Sequence, residues 1–174
     1  MPLKKVLILG GGIAGVASAI AFRKKGFSVE LVSDRDYLFI YPISIWIPFG
    51  KTSFSDVSLS LEALSRRHGF TVFIDRVLAI DAASRTVTYE KRGVTVTPEI
   101  VVIALGASKK QHKGIEHTVS ICGKPEESLV IKERIEVLVA RGKGRIAFGF
   151  GGNPEDPSSV RGGPAFELLF NLHH

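Results

Sequence analysis

The stretch from Lys4 to Gly15, KKVLILGGGIAG, constrains this chain more than any other part of it. A short apolar run, Val6-Leu7-Ile8-Leu9, leads into glycines at positions 10, 12 and 15, and the residues from Ile13 to Lys25 read as helix. The spacing G-x-G-x-x-G is a weak signal by itself, but between a strand and the mouth of a helix it is the fingerprint of a dinucleotide-binding turn. Gly10 permits the tight turn out of the strand. Gly12 has no side chain, so main chain can approach a pyrophosphate, and Gly15 lets the helix press against the sheet. The helix start offers unpaired N–H groups and a partial positive charge to phosphates. The competing reading is a glycine-rich turn with no ligand. It is the weaker one, because strand, turn and helix stand in the required order.

The rest of the composition narrows the class. At 174 residues the chain can build one core, or one domain and part of another. No apolar run is long enough to cross a bilayer, and the N-terminus does not read as a signal peptide. A single cysteine, Cys122, excludes an internal disulfide and fits a reducing, cytoplasmic setting. The net charge of +6 is modest, and its lysines and arginines are scattered rather than interleaved with aromatics. Nucleic-acid binding is therefore not expected, and neither is a metal site.

In chain order, Phe27–Val32 alternates as a second strand. In a fold built on this fingerprint, a polar side chain near that strand's end holds the adenosine ribose. Glu30 stands nearest the usual spacing but lies mid-strand, and it reads better as an exposed strand residue. Ser33 and Asp34 are preferred, with Arg35 near enough to reach a phosphate or stack on adenine. Tyr37–Phe49, YLFIYPISIWIPF, is apolar, carries two prolines and follows no period. It could cover a flat ligand, pack on another domain, touch a membrane peripherally, or be an irregular piece of core.

A short helix is expected over Leu59–Arg67, with His68 at its end, and a strand over Phe70–Ile74. Val77–Asp81 leads into a hairpin of Arg85–Tyr89 and Val94–Thr97. Glu99–Leu105 reads as a buried parallel strand closing on Gly106-Ala107-Ser108. Beyond a linker, Pro125–Ala140 reads as helix, Gly144–Phe150 as strand, and Pro164–Leu172 as helix. The implied architecture is α/β: a Rossmann-like parallel sheet with a β-hairpin insertion over residues 1–110. Residues 111–174 would then hold a linker helix and the first strand–loop–helix of a second, truncated dinucleotide-type unit.

The pieces LILGGGIAG, LVSDRDYLFIYP, VVIALGAS, SICGKPEESL and GGPAFELLF occur in this order. Together they resemble the N-terminal part of the FAD-dependent pyridine nucleotide-disulfide oxidoreductase superfamily. The likeness is to the branch of sulfide:quinone oxidoreductase, flavocytochrome c sulfide dehydrogenase and type II NADH dehydrogenase. The resemblance implies FAD as cofactor. It places Gly10, Gly12, Ile13, Ala14 and Gly15 at the pyrophosphate, and Ser33, Asp34 and Arg35 at the adenosine side. It assigns Tyr41 and Pro42 to the flavin side and the main chain of Val77 to adenine. Ala104, Leu105 and Gly106 match an Ala-Thr-Gly element near the cofactor, with Leu105 departing from its threonine. Cys122 falls where some relatives attach the flavin through sulfur, although a lone cysteine is commonly a small buried hydrophobe.

The departures bear on activity. The family's redox cysteine before Gly-Pro-Ala is matched here by Arg161, and no second cysteine exists. Sulfide or thiol chemistry of the usual kind is thus not expected from this chain alone. The loop after Phe150 does not match G-x-G-x-x-G, which argues against use of NADH. What the resemblance leaves is FAD binding in an oxidoreductase, with a quinone or another electron acceptor as partner. The alternatives are a non-catalytic FAD- or NAD-binding module and an inactive fragment. Apolar surface left bare at Tyr37–Phe49 and the last helix would also favour a homo-oligomer.

Overall fold

The computed structural model describes residues 3–107, 113–149, 155 and 162–173. They divide into two units, one spanning Met1–Phe39 with Ser58–Lys110 and the other Ile40–Val57 with Gln111–His174.

The first unit is built on strand β1 (Lys5–Leu9), which is buried from Val6 onward. Helix α1 (Ile13–Lys24) follows the glycine turn, with Arg23 and Lys24 in its last turn, where cations suit the helix dipole. The chain returns as β2 (Ser28–Ser33), parallel to β1 with Leu7 opposite Glu30 and Leu9 opposite Val32. Strand β3 (Tyr37–Phe39) pairs antiparallel with β4 (Ser58–Ser60), and helix α3 (Leu61–His68) follows. The Ser60 hydroxyl accepts the Ala63 N–H at 3.2 Å and caps α3, while basic Arg66, Arg67 and His68 close it. Strand β5 (Thr71–Ile74) then joins the far side of β2.

Strands β6 (Val77–Asp81), β7 (Thr86–Tyr89) and β8 (Gly93–Val96) form an antiparallel meander, with a register shift between Val77 and Ala79. In the turn between β6 and β7, Arg85 is the only non-glycine described residue with positive φ, at 56°. Strand β9 (Ile100–Ile103) completes a parallel sheet of order β5-β2-β1-β9. Leu7, Leu9 and Val32 face the meander's Val87 and Tyr89, with Val77 and Val101 packed around them. Alternation turns Val6, Ile8 and Leu31 to the opposite face. All three are 1% exposed or less.

The second unit resolves the apolar stretch that had no period. Helix α2 (Tyr41–Ser44) and a 3₁₀ turn at Ile47–Phe49 each hold their proline in the first turn, where its missing N–H costs nothing. Ile45 and Ile47 are buried, and the 3₁₀ turn packs on helix α4 (Glu127–Arg141). Trp46 Nε1 donates to Glu167 Oε1 at 2.9 Å, and Lys51 Nζ to Asn171 Oδ1 at 2.5 Å, on helix α5 (Gly163–His173). Half of the stretch is therefore irregular core of this unit, while Tyr41, Ile43 and Trp46 stay exposed.

One expected element does not form. Residues 143–149 are exposed and carry no regular structure, where Gly144–Phe150 read as a strand. A strand exists only by pairing, and no described strand pairs with this segment. Phe150, most of the loop after it, and Arg161 lie outside the described residues.

Candidate functional site

The glycine turn is crowded on one side and open on the other. Gly10 has φ of +116°, and a Cβ there would stand 2.2 Å from the Ala104 carbonyl oxygen, so the position excludes every side chain. Gly15 is just as closed, against the Gly10 carbonyl oxygen. A Cβ on Gly11 would meet the Ser33 hydroxyl at 2.5 Å and Leu61 Cδ1 at 2.7 Å. Gly12 differs: a Cβ there meets no atom within 4 Å. Gly12 is the N-cap of α1, no side chain caps the helix, and Gly12, Ile13 and Ala14 are all exposed. The first turn of α1 therefore presents its N–H groups to open space, which is the form of a pyrophosphate cradle.

The main chain holds this turn in place. Gly10 N donates to Val32 O at 2.8 Å, and Ala104 N to Leu9 O at 2.8 Å. The ends of β1, β2 and β9 thus stand side by side at the carboxyl edge of the sheet, where ligands of such sheets lie. Ala104, Leu105 and Gly106 follow β9 directly, and Leu105 is 50% exposed.

At the end of β2 the three expected polar residues are placed differently. Ser33 is the last strand residue and is buried, with its hydroxyl beneath Gly11 and accepting the Arg35 N–H at 3.3 Å. The Asp34 side chain is 63% exposed and pairs with Arg35 Nε at 3.4 Å. The Arg35 guanidinium also lies 5.8 Å from the Tyr37 ring centroid. Glu30 is a half-exposed strand residue on the sheet face that carries Val32, in an ion pair, its Oε1 accepting from Arg92 Nη1 at 3.0 Å.

The sequence reading passed over Asp75. It follows β5 with no motif to mark it, yet its side chain is only 2% exposed. Asp75 N donates to Ser33 O at 2.8 Å. Oδ1 accepts from Arg76 N at 2.8 Å and Lys91 N at 3.0 Å, and Oδ2 from Arg92 N at 3.1 Å. Arg92 Nε stands 3.5 Å from Oδ2, and its guanidinium lies 4.3 Å from the Tyr89 ring centroid and 4.5 Å from that of Phe73. Burial pushes the Asp75 carboxyl up, but the three main-chain donors and the Arg92 charge outweigh it and hold it below the ordinary value. Burial raises the Tyr89 hydroxyl above its ordinary value. The pairing of β5 with β2 and the β7–β8 turn closing on Asp75 bring these groups together, so no local pattern could reveal them.

Val77 opens β6 and packs on the core shared by sheet and meander. Tyr41 and Pro42 lie in the second unit, at the start of α2. Cys122, also in the second unit, has an exposed thiol, so it is not the small buried hydrophobe that a lone cysteine commonly is. Its turn is organised by Glu127, whose carboxylate accepts from Ser120 N at 2.7 Å and Lys124 N at 2.8 Å. Among the described residues no group of acids, histidines and cysteine could hold a metal ion. No helix among them is long and apolar enough to cross a membrane.

Comparison with known proteins adds to this geometry. The sequence profile of a family described as pyridine nucleotide-disulphide oxidoreductase matches residues 4–136. No curated protein sequence matches the chain at a significant level. Among solved structures, the sulfide:quinone oxidoreductase from the hyperthermophilic bacterium Aquifex aeolicus is 25% identical with a TM-score of 0.80, over 98% of this chain and 39% of its own. NDH2 from Plasmodium falciparum, solved in complex with RYL-552, is 17% identical with a TM-score of 0.70, over 84% of this chain and 31% of its own. NADH:rubredoxin oxidoreductase from Clostridium acetobutylicum is 20% identical with a TM-score of 0.66, over 99% of this chain and 42% of its own. The chain thus spans about a third to two fifths of the length of these solved structures.

Proposed function

Because this chain belongs to the pyridine nucleotide-disulphide oxidoreductase family, whose members are FAD-binding oxidoreductases, we propose that its first unit holds FAD as the cofactor-binding part of a flavin-dependent oxidoreductase. The observation that carries this reading is the contrast within the glycine turn. Gly10, Gly11 and Gly15 are closed by the protein itself, while Gly12 opens onto unfilled space at an uncapped helix start.

The residues divide the work. The N–H groups from Gly12 to Gly15 would bind the pyrophosphate, their dipole offsetting its charge. Asp34, exposed beyond β2, would accept from the ribose hydroxyls, and Arg35 would offer its face or its charge to the adenosine. Ser33 would act from beneath, its hydroxyl fixing Gly11 and Arg35 in register. The main chain at Val77 would meet adenine, and Ala104, Leu105 and Gly106 would border the cofactor where β9 ends. The flavin-side roles of Tyr41, Pro42 and Cys122 rest on the sequence resemblance alone. When bound, FAD supplies the capacity to take and pass on electrons, and the protein's part is to bind, orient and shield it.

Within the family, the finer reading is a relative of sulfide:quinone oxidoreductase, supported by the order of five sequence pieces and by the Aquifex aeolicus structure. A quinone or another small electron acceptor is the partner this implies, with self-association and a peripheral membrane contact as further parts of the same reading. Arg161, where the resemblance expects a redox cysteine, leaves the electron donor undefined. The test is the absorption spectrum of the purified protein, followed by addition of sulfide or NADH. Flavin bands support the reading. Flavin bands that neither donor bleaches point to a cofactor-binding part without its own donor site. A colourless protein that binds NAD and not FAD overturns it.

A further inference from the structure

We propose that Asp75 is a positioning residue for the adenosine end of the cofactor, its carboxylate fixing the main chain of Arg76 and Val77 beside Asp34. This rests on the FAD reading above and deepens it. The parallel register places Ser33 opposite Ile74, so the next residues, Asp34 and Asp75, stand level beyond the sheet's carboxyl edge. The bond from Asp75 N to Ser33 O continues the ladder to that point. From there the chain must leave the sheet and start β6 at a defined place.

The carboxylate sets that place. Arg76 N donates to Asp75 Oδ1, and Arg76 O accepts from Glu90 N at 3.0 Å. Both main-chain polar groups of Arg76 are thereby fixed, one by Asp75 itself and one by the β7–β8 turn. That turn is anchored by the same carboxylate through Lys91 N and Arg92 N. Arg92 in turn is held between two aromatic rings and by Glu30. One residue therefore links the ends of β2 and β5 through its main-chain N–H, and the start of β6 and the meander's far turn through its carboxylate. Only a carboxylate can do so: every group around it is a donor, and an amide would set its own N–H against one of them.

The test uses the full chain and two ligands, FAD and ADP, which share the adenosine and pyrophosphate. Asp75→Asn keeps the shape and removes the charge and one acceptor. It is expected to weaken FAD and ADP by the same factor, about tenfold, the effect of one lost charge-assisted hydrogen bond. Glu30→Gln touches the same guanidinium but not Arg76, and is expected to leave both affinities at the wild-type value. A fold-stabilising role alone would move the melting temperature in both variants and the affinities in neither. Wild-type affinity in Asp75→Asn, or an equal loss in Glu30→Gln, overturns the proposal. If Asp75→Asn does not fold, amide exchange on the wild-type chain decides. ADP must slow exchange at Arg76 and Val77, and unchanged exchange there overturns the proposal. A wild-type chain that binds neither FAD nor ADP brings down the FAD reading itself, whereas wild-type binding matched by the Asn variant removes only this inference.

Discussion

The carbonyl oxygen of Gly10 lies 1.8 Å from the point where a Cβ on Gly15 would stand. Both are main-chain positions in one turn, so neither can swing aside as the end of a long side chain would. Gly15→Ala must lift α1 from β1, at a cost of about 1–3 kcal/mol for an overpacked contact. Urea denaturation reads this as a lower midpoint, and FAD retention should fall with it.

Gly12→Val separates binding from folding. A Cβ at position 12 meets no atom within 4 Å beyond its chain neighbours, and the residue's φ of −79° and ψ of −174° suit valine. Stability should change by about 1 kcal/mol or less, the scale of an N-cap substitution. FAD affinity should fall by about a hundredfold, because a side chain now stands where main chain must approach phosphate. Thermal melts and a flavin titration of the same sample check the two halves together.

Leu61 opens α3 and is fully buried, with Cδ1 against the Gly11 position. Leu61→Ala should cost roughly 2–5 kcal/mol, as buried leucines do. It also removes a wall of the glycine turn, so any FAD still bound by the folded fraction should exchange faster with free ligand in stopped-flow mixing.

Stability should decline in acid through Asp75, with Asp56 and Asp81 acting in the same direction. For Asp75, burial raises the carboxyl, but main-chain donors and Arg92 outweigh it. For Asp56 and Asp81, hydrogen bonds from Ser53 and Ser84 respectively lead the lowering. A carboxyl held lower in the folded protein than in the unfolded chain binds fewer protons when folded. Its contribution is therefore present above the ordinary value of 3.8 and is lost as pH falls through the lower folded value. Denaturation midpoints measured from pH 6 down to about pH 3 should fall below about pH 4, less steeply in Asp75→Asn.

Arg85 adopts the left-handed conformation at an exposed turn, where its carbonyl accepts from Thr97 N at 2.8 Å and Thr97 Oγ1 at 3.1 Å. Asparagine tolerates this conformation better than arginine does. Arg85→Asn should raise stability by about 0.5 kcal/mol, in the range of other compatible backbone changes, measured as a higher urea midpoint with an unchanged slope.

The parts of this fold visible in the sequence are those made by near neighbours. The strand–glycine–helix start and the alternation of the hairpin strands each declare themselves within a few residues. The place of Glu30 in mid-strand is also legible there, and β2 has it so. Two features stayed hidden because they depend on distant chain. The stretch Ile40–Phe49 has no period because its 3₁₀ turn is packed by α4, more than 70 residues further on. Asp75 looks like any acid after a strand until β5 lies against β2 and the turn at Lys91 closes over it. The missing strand at residues 143–149 is the reverse case: its alternation is real, but no described strand lies beside it.

The ion pair between Glu30 and Arg92 has a practical consequence for redesign. The acid that spacing alone would nominate as the nucleotide sensor is already engaged in a half-exposed ion pair with the β7–β8 turn. Attempts to retune this scaffold toward another dinucleotide by editing position 30 should damage the protein without altering its preference. Under the FAD reading, positions 34 and 35, paired with each other beyond β2, are where such engineering should begin.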